Sequence, residues 1–189
     1  VPFAGKLVLR GGGVGFEQAV GSVLGVALPG VVLATASGGG TTVAWVGPDE
    51  WYVFTAMGAE TDLKERLDRA LGGVHAQVVD VTDYYTIIAI SGARAREMLQ
   101  KIATLDLHPR AFEPGDAAMS DFGRTVSLLR QTAADAYELM VRISMADYLW
   151  CLLAEAGHEW GLPLQRPKGE VALHLPHFGR GELTERQAT

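Results

Sequence analysis

The sequence contains little cysteine and no long apolar run. Cys151 is the single cysteine of 189 residues, which excludes an intramolecular disulfide framework and any metal site built from several thiolates. No apolar stretch approaches the ~18 residues that a membrane-spanning helix needs. The first residues also lack the basic-then-apolar pattern of a signal peptide. We therefore expect a cytoplasmic protein without a membrane anchor.

Charged residues are also few. They make up 20% of the chain and hydrophobic residues 48%, whereas about 25% charged residues are usual in soluble domains. The formal net charge is -6, and the scattered Lys and Arg give no basic patch for nucleic acid. A protein partner is the better expectation. The apolar composition fits two alternatives equally, a core-rich monomer and a chain whose surface is partly covered by another chain.

Hydrophobic periodicity predicts a β-α-β-β-α-β order in the first half of the chain. Alternation and β-branched residues indicate strands, whereas apolar residues three and four apart indicate helices. The helix that follows the hairpin is expected to be capped by Thr61 and to end at Gly72-Gly73. The predicted elements are strand 5–10, helix 16–24, strands 41–46 and 51–55, helix 61–71 and strand 76–81.

The second half repeats this order. The corresponding elements are strand 86–90, helix 93–103, strands 124–130 and 136–143, and helix 145–156. The fold class is therefore α+β, with two ferredoxin-like β-α-β-β-α-β lobes in pseudo-repeat. The closing strand of the second lobe is missing from its expected place, and residues 170–174 are a poor substitute.

The predicted domain organisation is one α+β domain over residues 1–160, with lobes of about 1–82 and 83–160. After Trp160 the composition changes, because Pro163, Pro167 and Pro176 interrupt helices and glycines loosen the remainder. Residues 161–189 are therefore predicted to form an irregular C-terminal tail.

Four segments resemble one family. They are 80–99 (DVTDYYTIIAISGARAREML), 105–112 (LDLHPRAF), 45–52 (WVGPDEWY) and 136–142 (AYELMVR). Together they resemble the gamma subunit of heterotetrameric sarcosine oxidase, a family related in fold to the folate-binding-type domain of aminomethyltransferase, the glycine cleavage T-protein.

The resemblance implies an accessory, non-catalytic gamma subunit of a flavin-dependent oxidoreductase. Such a complex oxidatively demethylates sarcosine to glycine and transfers the one-carbon unit to tetrahydrofolate. The resemblance also implies that gamma packs on the large alpha subunit, which binds NAD and folate. FAD belongs to the beta subunit, FMN to the alpha–beta interface and zinc to the delta subunit, so that this chain itself binds no cofactor.

Two alternatives stay open at this point. One is the corresponding subunit of N-methylglutamate dehydrogenase, which acts on a different N-methyl amino acid. The other is a free-standing, folate-dependent protein of the aminomethyltransferase kind. That alternative is disfavoured because the chain lacks the further domains of that enzyme and shows no convincing cluster of acid, base and ligand groups.

Four motifs are candidate sites, and each favours a structural interpretation. Gly11–Gly15 (GGGVG) lies between a strand and a helix, but Gln18 stands where a dinucleotide fingerprint requires glycine. Cys151 lies in an apolar helix, where a thiol is usually a small hydrophobe. His174 and His177 lack the further ligands of a zinc site. Asp106, His108 and Arg110 are expected to hydrogen-bond loop backbone.

Asp80 and Asp83 are the strongest catalytic candidates, because a carboxylate at a strand end can act as a general base or hold a ligand amine. Aspartate also favours turns through its own side-chain hydrogen bonds, and no motif matches either residue to the acidic residue of the aminomethyltransferases. We therefore assign this chain no catalytic, cofactor-binding or metal-binding residue.

Overall fold

The computed structural model describes residues 4–161. Its elements in chain order are β1 (Gly5–Arg10), α1 (Val14–Leu24), β2 (Thr35–Gly38), β3 (Thr41–Gly47), β4 (Glu50–Thr55), α2 (Glu60–Ala70), β5 (Gln77–Asp80), β6 (Tyr85–Ser91), α3 (Ala95–Gln100), β7 (Ala117–Phe122), β8 (Thr125–Ala133), β9 (Ala136–Arg142) and α4 (Ala146–Gly157). Short 3-10 helices cover Ile143–Met145 and His158–Trp160.

The strands form two antiparallel sheets. The first has the order β2-β3-β4-β1-β5 and the second the order β6-β9-β8-β7. In the first sheet β5-β1-β4-β3 has the ferredoxin-like strand order, and β2 extends it at one edge. In the second sheet β6, β9, β8 and β7 repeat the positions of β1, β4, β3 and β2. The predicted α+β fold with two ferredoxin-like lobes in pseudo-repeat is confirmed.

The described part of the second sheet contains no counterpart of β5. The sequence had suggested this gap, and its proposed substitute, residues 170–174, lies outside the described residues. The predicted tail from 162 onward, with His174 and His177, lies outside them as well. Within residues 4–161, no helix is long and apolar enough to span a membrane.

The two sheets pack face to face, and each carries helices on its outer side. Between the first sheet and helices α1 and α2, Leu7, Leu9, Phe16 and Val20 are fully buried. The second sheet packs in the same way on α3 and α4. A third cluster fills the space between the sheets; its buried members are Ala44, Tyr52, Phe54, Ile87, Ala117, Leu128 and Met140. The two lobes therefore pack on each other through this third cluster.

Some predicted details were wrong. Helix α2 begins at Glu60 after Ala59, with no side-chain cap, so Thr61 does not cap it. Helix α3 is six residues long, shorter than the predicted 93–103, because residues 93–94 and 101–102 form turns and Ala103 makes an isolated β-bridge with Phe122. Strands β2 and β7 were not predicted.

Candidate functional site

Asp80 is the last residue of β5, and Asp83 lies in the turn between β5 and β6, where the chain passes from one lobe to the other. Asp80 Oδ1 accepts a hydrogen bond from the Thr82 N–H at 2.9 Å. Thr82 Oγ1 in turn accepts from the Lys6 N–H at 3.0 Å, which ties the turn to β1. The Asp80 carboxylate therefore closes the turn, as the sequence suggested. Asp83 is exposed, and its side chain makes no hydrogen bond within residues 4–161.

Lys6 lies beneath this turn and is 2% exposed. Its Nζ donates to the Ala4 carbonyl at 2.8 Å. Burial lowers the pKa of Lys6, while the negative charges of Asp83, Glu60 and Asp80 oppose that shift. A lysine with a lowered pKa can serve as a nucleophile, but enclosure keeps a reactant away from this amine. We therefore interpret Lys6 as part of the folded core rather than as a reacting group.

Three tyrosines extend from the space between the sheets to the surface. Tyr52 is buried, and its hydroxyl lies 3.1 Å from the Tyr85 hydroxyl. The rings of Tyr52 and Tyr85 meet edge to face at 5.8 Å, and those of Tyr85 and Tyr84 at 4.8 Å. Burial and the hydrogen bond to Tyr85 raise the pKa of Tyr52, so its hydroxyl stays protonated. We call these residues the tyrosine ladder.

The outer residue of the tyrosine ladder, Tyr84, lies beside a positively charged side chain. The Arg142 guanidinium carbon lies 6.0 Å from the centre of the Tyr84 ring. Arg142 pairs with Tyr85 across β6 and β9. Neither Tyr52 nor Arg142 stands out in the sequence, because cross-strand neighbours become visible only when the register is known.

The loop 101–112 was expected to be tied by Asp106, His108 and Arg110. Asp106 Oδ1 accepts from the His108 N–H at 2.9 Å, and His108 Nδ1 accepts from the Arg110 N–H at 3.2 Å. The Arg110 side chain is exposed and makes no contact of this kind within the described chain. The expectation for the Arg110 guanidinium was therefore wrong.

Arg96 of α3 makes the loop contacts that were expected of Arg110. Its guanidinium donates to the carbonyls of Leu107 and Phe112, the latter at 3.1 Å, and to Gln131 Oε1 at 3.1 Å. It also lies 5.6 Å from the centre of the Tyr137 ring. Arg96 belongs to the segment 80–99 that carries the family resemblance, but nothing in that pattern distinguished it from Arg94.

The remaining motifs have structural roles where they are described. A side chain at Gly11 would meet the Phe16 ring at 2.7 Å, and Gly13 has φ of 89° at the start of α1. The glycines therefore permit a tight connection between β1 and α1.

Cys151 is half-buried, and burial raises the pKa of its thiol. His75, His108 and His158 are exposed and apart in sequence, and residues 4–161 contain no group of three or more potential metal ligands.

Among the described residues, two surface depressions have linings that include neither Asp80 nor Asp83. One of about 480 Å³ lies beside α1 and the loop after it, with Gly21, Gly25 and Leu28 in its wall. The other, of about 220 Å³, lies where the lobes meet, among Thr35, Ser37 and Arg130. The arrangement of the aspartates thus offers a turn rather than a pocket for a substrate.

Comparison with known proteins identifies the family. The sequence matches the sarcosine oxidase, gamma subunit family over residues 11–159. The chain belongs to this family. It is 31% identical over 151 residues to sarcosine oxidase subunit gamma from Arthrobacter sp., covering 80% of this chain and 68% of that protein. It is also 31% identical over 163 residues to the corresponding subunit from Corynebacterium sp. strain U-96, covering 85% and 78%.

Comparison with solved structures supports the same family assignment. The heterotetrameric sarcosine oxidase from Corynebacterium sp. U-96, in complex with pyrrole 2-carboxylate, contains a similar chain with a TM-score of 0.80 and 28% identity, covering 88% of this chain and 85% of that one. Aminomethyltransferase T from Bartonella henselae has a TM-score of 0.63 and 12% identity over 80% of this chain and 43% of its own. The latter match shows a shared fold. The gamma subunit is thus built on the T-protein fold.

Proposed function

We propose that this chain is the accessory gamma subunit of a sarcosine oxidase complex and performs no chemistry itself. The observation that carries the proposal is the family match over residues 11–159, together with the structural similarity to heterotetrameric sarcosine oxidase. The direct partner in this proposal is the large alpha subunit, with beta and delta subunits completing a heterotetramer.

A structural role for the gamma subunit is supported by the uses of its polar groups. The Asp80 carboxylate closes a turn, the Lys6 amine is enclosed, and Arg96 fixes a loop. Each of these groups makes a hydrogen bond to the backbone, and buried or turn-forming backbone atoms must find such partners. None of the three side chains lines either of the two depressions described above.

The cofactors of the complex, in this proposal, belong to other subunits. FAD, FMN, NAD, tetrahydrofolate and zinc are those that the family resemblance implies. The close packing of Gly11 on Phe16 supports this assignment, because that packing explains why glycine is needed between β1 and α1 without a bound nucleotide. The half-buried Cys151 and the separated histidines are consistent with it.

The free-standing aminomethyltransferase remains less well supported. The chain is 32% identical to aminomethyltransferase from Clostridium botulinum strain 657 over 116 residues, but it spans only 31% of that protein. The substrate of the complex is a further proposal. Assays of the purified complex with sarcosine and with N-methylglutamate would separate the oxidase from the alternative dehydrogenase.

Co-expression tests the proposal. A tagged gamma chain should co-purify with the alpha, beta and delta chains encoded in the same genome, and the purified complex should be yellow and oxidise sarcosine. The gamma chain expressed alone should be less soluble, because partner-covered apolar surface would be exposed. A soluble, monomeric gamma chain that captures none of the other subunits would contradict the proposal.

A further inference from the structure

Tyr84, Arg142 and Ile143 form a compact exposed surface, which we call the YRI patch. Tyr84 is 51% and Ile143 63% exposed. The two residues are neighbours in space, because the Ile143 N–H donates to the Tyr84 carbonyl at 3.0 Å. Arg142 is also exposed and lies over the Tyr84 ring. Tyrosine and arginine are the residue types that contribute most at protein interfaces.

The patch is held in place from within the protein. Tyr84 contacts Tyr85 edge to face, and Tyr85 contacts the buried Tyr52 in the same geometry. The hydroxyl contact between Tyr52 and Tyr85 adds a polar restraint. A surface side chain that is fixed before binding loses less conformational entropy on association. The tyrosine ladder therefore gives Tyr84 the properties of a preorganised anchor.

Arg142 is the charged member of the patch, and it forms no ion pair with a carboxylate of residues 4–161. Other arginines of the same sheets do: Arg10 pairs with Glu50 at 2.9 Å and Arg130 with Glu138 at 2.5 Å. Arg142 therefore presents a positive charge beside the apolar surfaces of Tyr84 and Ile143, while the exposed Asp83 precedes Tyr84 in the chain without pairing with it. Such a site complements a carboxylate flanked by apolar side chains.

We propose that the YRI patch is a docking site for a segment of another oxidase subunit that carries an acidic residue between apolar ones. This inference rests on the proposed function and adds the surface through which the gamma subunit assembles. Arg142 would pair with the carboxylate, while Tyr84 and Ile143 would pack on the apolar neighbours.

Charge and sequence argue against two other occupants. A second copy bound through the same patch about a two-fold axis would place one Arg142 near the other, and like charges oppose such contact. Residues 162–189 of this chain contain four Lys or Arg and three Glu, and none of these glutamates has apolar side chains on both sides in the sequence. An acidic segment of a different subunit can provide both a carboxylate for Arg142 and apolar side chains for Tyr84 and Ile143.

The test uses the co-expressed complex with a tag on the gamma subunit. Tyr84→Ser, Ile143→Ser and Arg142→Glu should each reduce the retained partner subunits at least tenfold, the order expected for hot-spot residues. Val14→Ser and Met57→Ser, at positions that are 69% and 67% exposed elsewhere, and Arg110→Glu should retain wild-type amounts. The conservative Tyr84→Phe should also assemble, because it keeps the ring that packs on Tyr85.

Salt provides a second readout. Retention by the wild-type subunit should weaken as ionic strength rises, and Arg142→Gln should flatten this dependence, because an exposed ion pair is screened. Normal assembly of the three patch variants would overturn the docking inference and leave the proposed function intact. Failure of the wild-type chain to assemble would overturn the proposed function. A patch-dependent gamma homodimer would also overturn the inference, since it would identify a second copy as the occupant.

Discussion

The Arg130 guanidinium lies 3.9 Å from the centre of the Phe54 ring and so joins the two sheets. Phe54 belongs to β4 of the first sheet and is 5% exposed, while Arg130 belongs to β8 of the second. Arg130 also pairs with Glu138 on the neighbouring strand β9. A cation over an aromatic face stabilises a contact more strongly when both are removed from water. The lobes are therefore held by a charged contact as well as by apolar packing.

Replacing Arg130 with alanine should destabilise the subunit by about 3 kcal/mol, because the side chains of Arg130 and Glu138 are only 15% and 17% exposed and Glu138 would lose its counterion in a poorly hydrated site. Hydrogen exchange of β8 and β9 amides in the assembled complex would measure the loss. The double variant Arg130→Ala/Glu138→Ala should cost less than the two single variants together. Additive losses would show that the pair is not coupled.

A second prediction contrasts two arginines near the loop 101–112. Arg96→Ala should cost about 2 to 4 kcal/mol, because it leaves the carbonyls of Leu107 and Phe112 and the Gln131 side chain without a charged donor. Arg110→Ala, the matched control on the surface, should change stability by less than about 0.5 kcal/mol. Thermal unfolding of both variants measures the difference, and equal losses would refute the assignment of the loop tie to Arg96.

A third prediction concerns pH. Burial lowers the pKa of Lys6 in the folded protein, so above that pKa the unfolded chain binds more protons at this residue than the folded one. Stability contributed by Lys6 must then rise with pH up to about 10.5, its ordinary pKa. Relative to wild type, Lys6→Met should have its largest advantage in melting temperature near neutral pH and a smaller one at alkaline pH.

The control for this prediction is Lys6→Arg, because a guanidinium stays charged over the whole range. Its melting temperature relative to Lys6→Met should not improve with alkaline pH. If wild type and Lys6→Arg followed the same pH curve, the amine of Lys6 would not be losing its proton more easily in the folded state.

The sequence predicted the pseudo-repeat because the central strands carry strong apolar alternation. Residues 5–10 and 51–55 were placed within a residue of β1 and β4. β2 and β7 were missed because TASG and AAMSDF contain few β-branched residues. These strands form because β2 pairs with β3 and β7 pairs with β8. Such pairing depends on the rest of the fold and is not visible in the local sequence.

Single turns were predictable and long-range contacts were not. Asp80 could be assigned to a turn because its hydrogen bond to Thr82 spans two residues. The Arg96 contacts span 11 to 35 residues, and that of Tyr52 with Tyr85 spans 33. The same limit explains why the sequence favoured Arg110 over Arg96: Arg110 lies within the loop and Arg96 precedes it, and only the fold shows that the Arg96 guanidinium points into the loop.

The central claim is that this gamma subunit contributes assembly and no reacting group. The most direct measurement is turnover with sarcosine, per assembled complex, when gamma carries both Asp80→Asn and Asp83→Asn. These changes remove two charges with little change in shape. We expect wild-type turnover with, at most, a loss of stability of about 1 kcal/mol from the altered turn. A fall of about a hundredfold or more, as expected for removal of a general base, would contradict it and place catalysis on this chain.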